Sequence, residues 1–147
     1  MYKNILVPVD ASELSERAMH ASVQLAKQLG ASITGFMAEP MQPMFVDIRP
    51  RARREDDTRE HDAMTDAHAS QVLKKFEALA LAAGVSFTGF YDQVPRIDEA
   101  IIRVAEERGC DLIVMVTHGR GAFGEFLFGS HTKAVLAGSK LPLLVLH

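Results

Sequence analysis

Asp111-Leu112-Ile113-Val114-Met115-Val116-Thr117-His118-Gly119 is the stretch on which the fold turns. Behind one acid lies a short run of apolar residues, the pattern of a strand over Asp111 to Val116 that is buried on both faces. The run enters a loop punctuated by Gly119, Gly121 and Gly124 and reaches Gly129-Ser130, where a helix over Ser130 to Gly138 is expected. Glycine lets backbone approach a ligand closely. A helix N-terminus adds unsatisfied N–H groups and the positive end of its dipole. Strand, glycine loop and helix start together make an anion-binding layout.

The rest of the chain repeats the alternation of strand and helix. Asn4 to Val9 is a short apolar run, a buried strand with Asp10 at its C-terminal end. Ser12 is placed to cap a helix, with Glu13 favourable in its first turn. Leu14, Ala18, Ala21, Leu25 and Leu29 recur at helical spacing, and Gly30 suits the helix end. Ser32 to Ala38 is a second strand, closed by Glu39-Pro40. Residues 41 to 57 are expected to be irregular, because Pro40, Pro43 and Pro50 interrupt regular structure. A polar helix is expected from Thr58 to Ala83, with Val72, Leu73, Phe76, Leu79 and Ala80 facing the core. Val85 to Tyr91 is a third strand. Arg96 to Arg108 is an amphipathic helix with Ile97, Ala100, Ile101 and Val104 on one face, and Leu141 to Leu146 is a last strand.

The order β-α-β-α-β-α-β-α-β implies an α/β fold, a parallel sheet with helices on both faces. Ligands bind such sheets beyond the strand C-termini, where the strand order reverses. Asp10 comes directly after the first strand and Gly119 after the fourth. If those two strands are neighbours, both residues line one crevice.

The chain has 147 residues, the size of one domain spanning 1–147. A domain of this size buries roughly 70% of its unfolded surface, enough for a core without metals or disulfides. Apolar residues are 48% and charged residues 24%, an ordinary globular balance. A formal charge of −3 gives no global basic field for nucleic acid. The single cysteine, Cys110, permits no intrachain disulfide and fits a reducing compartment. Met1-Tyr2-Lys3-Asn4-Ile5 enters a strand at once, leaving no room for a signal peptide, and no apolar run approaches the roughly 20 residues of a membrane span. A cytoplasmic location is therefore expected.

Gly119-Arg120-Gly121-Ala122-Phe123-Gly124 matches the letters of a dinucleotide fingerprint. That fingerprint belongs to the first βα unit and needs an acid about 20 residues further on for the ribose. Only 23 residues lie beyond Gly124, and none near the required position is acidic. The match is therefore a coincidence of loop glycines. There is no P-loop, no G-x-S-x-G, no H-E-x-x-H and no paired-cysteine motif.

At the glycine loop the chain resembles the universal stress protein family, whose nucleotide-binding branch carries G-x2-G-x9-G-[ST] after its fourth strand. The register falls on Val116, Thr117-His118, Gly119, nine residues from Arg120 to Phe128, then Gly129-Ser130. The second and third glycines and the serine match; Val116 stands where the first glycine is expected. Ile5-Leu6-Val7-Pro8-Val9-Asp10-Ala11-Ser12 resembles the family's opening strand and acid, and Cys110 to Met115 its fourth strand. The resemblance implies an open five-stranded parallel sheet in order 3-2-1-4-5, of the adenine nucleotide alpha-hydrolase-like kind, and ATP, with Mg²⁺, held across strands one and four. Carried over, Asp10 would lie near ribose, phosphates or nucleotide-bound Mg²⁺, with Pro8 beside it. Met37 would face adenine. Met115, Val116 and Gly119 would frame ribose and phosphates. Gly129, Ser130 and His131 would present N–H groups and a hydroxyl to phosphate. The related ATP pyrophosphatases carry a Ser-Gly-Gly-rich loop after strand one, which this chain lacks, so at most slow ATP hydrolysis is expected. Strand five would be an edge, and its apolar residues would pair antiparallel with a second copy through Leu141–His147, forming a homodimer.

Plainer readings stand beside these. Asp10 suits a turn ahead of Ser12. Met37 and Met115 suit the core. A valine at position 116 adds bulk, and positive φ there would be costly, which leaves open a dimeric interaction module without nucleotide. His61 and His68 share a helical face near Asp57 and Asp62 but lack a third ligand. The Arg49–Arg54 basic cluster reads as a solvated loop offset by the acids after it, His118 as loop, and Cys110 as structural.

Overall fold

The structure, a computed structural model, describes residues 1–41, 51–116 and 128–147. Among the described residues nine elements alternate: β1 (Asn4–Val9), α1 (Glu13–Leu29), β2 (Ser32–Pro40), α2 (Arg51–Ala82), β3 (Phe87–Val94), α3 (Ile97–Glu107), β4 (Leu112–Val116), α4 (Phe128–Gly138) and β5 (Leu143–Leu146). The five strands form one sheet in order β3-β2-β1-β4-β5, and every pairing is parallel. The expected order 3-2-1-4-5 is thus observed, and β1 and β4 are neighbours at the point where the order reverses.

Strand alternation sorts the core into two layers. Ile5, Val7, Val9, Leu112 and Val114 face α1 and α2, where they meet Met19, Val23, Ala26, Phe76 and Ala80. Leu6, Phe36, Ile113 and Met115 face α3 and α4, where they meet Ala100, Ile101, Val104 and Val135. Phe36 is fully buried and stacks on Phe90 at 5.6 Å, a contact worth about 0.5–1.5 kcal/mol beyond its area. At the N-terminal edge of the sheet Asp111 takes the Lys3 and Asn4 N–H groups at 2.8 and 3.1 Å. This clamp ties β1 to β4 at the end opposite the expected site.

The stripe that α1 buries differs from expectation. Ser15, Ala18, Met19, Ser22, Val23 and Ala26 are buried, whereas Ala21 and Leu29 are exposed. Two serines lie inside the stripe, so counting apolar letters set the helix face askew. Ser12 caps α1 as expected, accepting the Ser15 N–H at 3.3 Å, and Gly30 closes it at φ 66° in the left-handed region.

Several boundaries move for identifiable reasons. Helix α2 begins at Arg51, so Arg51, Arg53 and Arg54 belong to a helix and not to a loop. Residues 42–50, with Pro43 and Pro50, lie outside the described residues. Strand β2 runs on through Glu39-Pro40, because β1 pairs only as far as Met37 and Pro40 owes no N–H to it. Strand β3 runs to Val94, since Ala38, Glu39 and Pro40 supply partners for Asp92, Gln93 and Val94. Asp111 precedes β4 and acts as the clamp. Pro142 precedes β5, and its carbonyl accepts the Ile113 N–H at 3.0 Å.

Candidate functional site

The C-terminal end of β1 brings Pro8, Val9 and Asp10 to the point where the strand order reverses, and the N-terminus of α1 holds the carboxylate in place. Asp10 is half-buried. Its Oδ1 accepts the Ser12 N–H and the Ser15 hydroxyl, each at 2.8 Å, while its own N–H donates to Ser15 Oγ at 2.7 Å. Among the described residues Oδ2 has no hydrogen-bond partner. Strand β1 is largely buried, so Asp10 is a carboxylate presented by a rigid element, aligned by the first turn of the next one.

The neighbouring strand brings Met115 and Val116. Val116 closes β4, opposite Leu146 of β5, and no non-glycine residue among those described has a positive φ. The backbone strain expected of a valine here is therefore absent: Val116 occupies an extended strand, which β-branched residues favour. Its half-buried side chain lines a small recess with Pro8, Leu14, Ser15 and Ala18, against α1.

Met37 ends the part of β2 that pairs with β1, opposite Val9, and is 3% exposed; Met115 is 2% exposed. Both are core residues in this structure, one in each layer. Gly119, with His118, Gly121 and Gly124, lies outside the described residues. Gly129, Ser130 and His131 all fall in the first turn of α4, which starts two residues earlier than expected. Ser130 is its third residue and so is not the N-cap. Glycine is tolerated here because the first turn's N–H groups need no partner within the helix. Ser130 is exposed and His131 half-buried.

The structure thus sets Asp10 at the end of β1, Val116 at the end of the adjacent β4, and a helix start on the segment after β4. Ser15, which hydrogen-bonds Asp10, is a candidate-site residue that the sequence reading did not single out. Its signal was Asp10-x-Ser12-x-x-Ser15, a short polar spacing at a helix start, but Ser15 lies among positions read only for apolar content.

Among the described residues no group of three His, Cys, Asp or Glu side chains could hold a metal ion, and no helix is long and apolar enough to cross a membrane. Cys110 is buried at the far end of the sheet. Burial raises its thiol pKa above the ordinary value, against a smaller opposing hydrogen bond from Thr34.

The model of the universal stress protein family matches residues 1–147. The chain belongs to the universal stress protein family. A universal stress protein of Thermus aquaticus is 30% identical over 152 residues, covering 99% of this chain and 98% of its own. One of Methanocaldococcus jannaschii is 28% identical over 146 residues, covering 99% of this chain and 82% of its own. Among solved structures, a universal stress protein in complex with cAMP superposes with TM-score 0.70 at 22% identity, covering 99% of this chain and 97% of its own. A universal stress protein from Archaeoglobus fulgidus in complex with dAMP gives 0.68 at 18%, covering 99% and 98%. At these identities the structural likeness establishes the fold, which is that of the universal stress proteins.

Proposed function

We propose that this protein holds an adenine nucleotide, ATP with Mg²⁺, in the crevice beyond the C-terminal ends of β1 and β4. In this reading it is a regulatory or sensor module of the stress response, one domain acting as a cytoplasmic homodimer without nucleic-acid partners. One observation carries the reading. Asp10 sits beyond β1 with Oδ1 fully engaged and Oδ2 unpartnered among the described residues, one strand away from Val116 at the topological switch point. The adenine nucleotides named for two universal stress proteins of the same fold support it.

The donor set suits a nucleotide better than a bare metal ion. A single carboxylate oxygen makes a poor cation site alone, and Mg²⁺ is commonly held by one or two carboxylates together with substrate phosphates. Asp10 would take a ribose hydroxyl or a water on that ion. Gly129, Ser130 and His131 would meet phosphate at the α4 N-terminus, and Gly119 would let the backbone approach. Pro8 and Val116 would bound the ribose side. Met37 would back the base and Met115 the ribose side, each from its own layer of the core. Bound Mg²⁺ would supply charge neutralisation to the phosphates.

Isothermal titration with ATP and Mg²⁺ tests the proposal. Micromolar to sub-millimolar binding is expected. No heat and no thermal shift at millimolar ATP would overturn it and favour an interaction module with the site closed by Val116.

A further inference from the structure

We propose that Ser15 is a positioning residue that sets the Asp10 carboxylate for the nucleotide; this rests on the binding reading above. Ser15 is only 4% exposed and belongs to the buried stripe of α1. A serine in a helix ordinarily turns its hydroxyl back to the carbonyl four residues earlier or out to water. Ser15 does neither. Its hydroxyl leaves the helix and spends its donor on Asp10 Oδ1 at 2.8 Å, while its oxygen accepts the Asp10 N–H at 2.7 Å. Both contacts go to one residue, five positions earlier at the end of β1.

The consequence is geometric. A carboxylate rotates readily about its last torsion. With the Ser12 N–H and the Ser15 hydroxyl both on Oδ1, the group has one orientation that satisfies both, and Oδ2 is the oxygen left without a partner among the described residues. Without the Ser15 hydroxyl, Oδ1 keeps one donor, the Asp10 N–H loses its acceptor, and either oxygen can take the Ser12 N–H. Residues that orient a ligating group are commonly worth about 10–100-fold in affinity. Ser15 also lines the small recess shared by Pro8 and Val116.

A double-mutant cycle on nucleotide affinity tests the role. ATP with Mg²⁺ is titrated into wild type, Ser15→Ala, Asp10→Ala and the double variant, monitored by NMR shifts into the millimolar range. Ser15→Ala should weaken binding about 10-fold in the wild-type background and have no effect where Asp10 is already alanine. Ser15→Thr, which keeps the hydroxyl, should recover affinity. A hydroxyl that merely stabilises the helix would cost the same in both backgrounds, and that additivity would overturn the proposal. Should Ser15→Ala not fold, Ser15→Cys keeps the shape with much weaker hydrogen bonding and gives the same readout. Unaltered affinity in folded Ser15→Ala overturns the positioning role alone. A wild type that binds no ATP overturns the nucleotide reading and this role with it.

Discussion

Replacing Val116 with glycine should make the protein less stable and its nucleotide site tighter. The side chain is half-buried in a recess with Pro8, Leu14, Ser15 and Ala18. Each buried methylene is worth about 0.8 kcal/mol, so half-burial of the three valine side-chain carbons amounts to about 1 kcal/mol. Glycine in a strand adds about 0.5–1 kcal/mol of backbone entropy. The sum is about 1.5–2 kcal/mol, which lowers Tm by about 3–8 °C for a domain of this size. The substitution also restores the glycine of the nucleotide-binding pattern and removes bulk at the end of β4. Affinity for ATP with Mg²⁺ should rise about fivefold, roughly 1 kcal/mol. Differential scanning calorimetry with and without ATP reads both effects: the variant melts lower alone and gains more from ligand. An unchanged apo Tm would show that Val116 is not packed as described. Equal or weaker affinity would show that valine never limited the site.

Gly129→Val should abolish ATP binding without unfolding the protein, because a branched side chain would stand where phosphate meets the α4 N-terminus; calorimetric titration and circular dichroism check the two halves. Light scattering should report a homodimer at micromolar concentration, with Val145→Lys monomeric, since β5 is the sheet edge and Leu144 is partly exposed; a variant that remains dimeric places the interface elsewhere. Burial raises the Cys110 thiol pKa in the folded chain. Below the ordinary thiol value of about 8.5 both states are protonated and the group adds no pH dependence. Above it the unfolded chain loses its proton first, so stability should fall with rising pH until the folded pKa is passed. Cys110→Ala should flatten that alkaline decline in urea melts recorded from about pH 8 to 10, a range set about the thiol value; an identical slope in both proteins would rule out Cys110 as its source.

Strand and helix order and the parallel sheet were legible in the sequence, because each arises from local pattern. Asn4 to Val9 and Leu112 to Val116 are short apolar runs that only burial on both faces satisfies. A crossover of helix length between successive strands favours parallel pairing. Asp10 and the segment toward Ser130 stood out by their place after such strands. What residue spacing could not give was any property that depends on which groups meet in space. The buried face of α1 took in two serines: Asp10 supplies the hydrogen bonds of the Ser15 hydroxyl, whereas the Ser22 hydroxyl is buried with no partner among the described residues. The extensions of β2 through Pro40 and of β3 through Val94 depended on each being the other's partner. Whether valine strains the backbone at position 116 depended on β4: as the last residue of an extended strand beside α1, Val116 carries no positive φ. Periodicity and turn chemistry act along the chain, so the sequence alone determined the elements and their order. Hydrogen-bond satisfaction and packing act across it, so only the tertiary structure decided which side chain holds the Asp10 carboxylate.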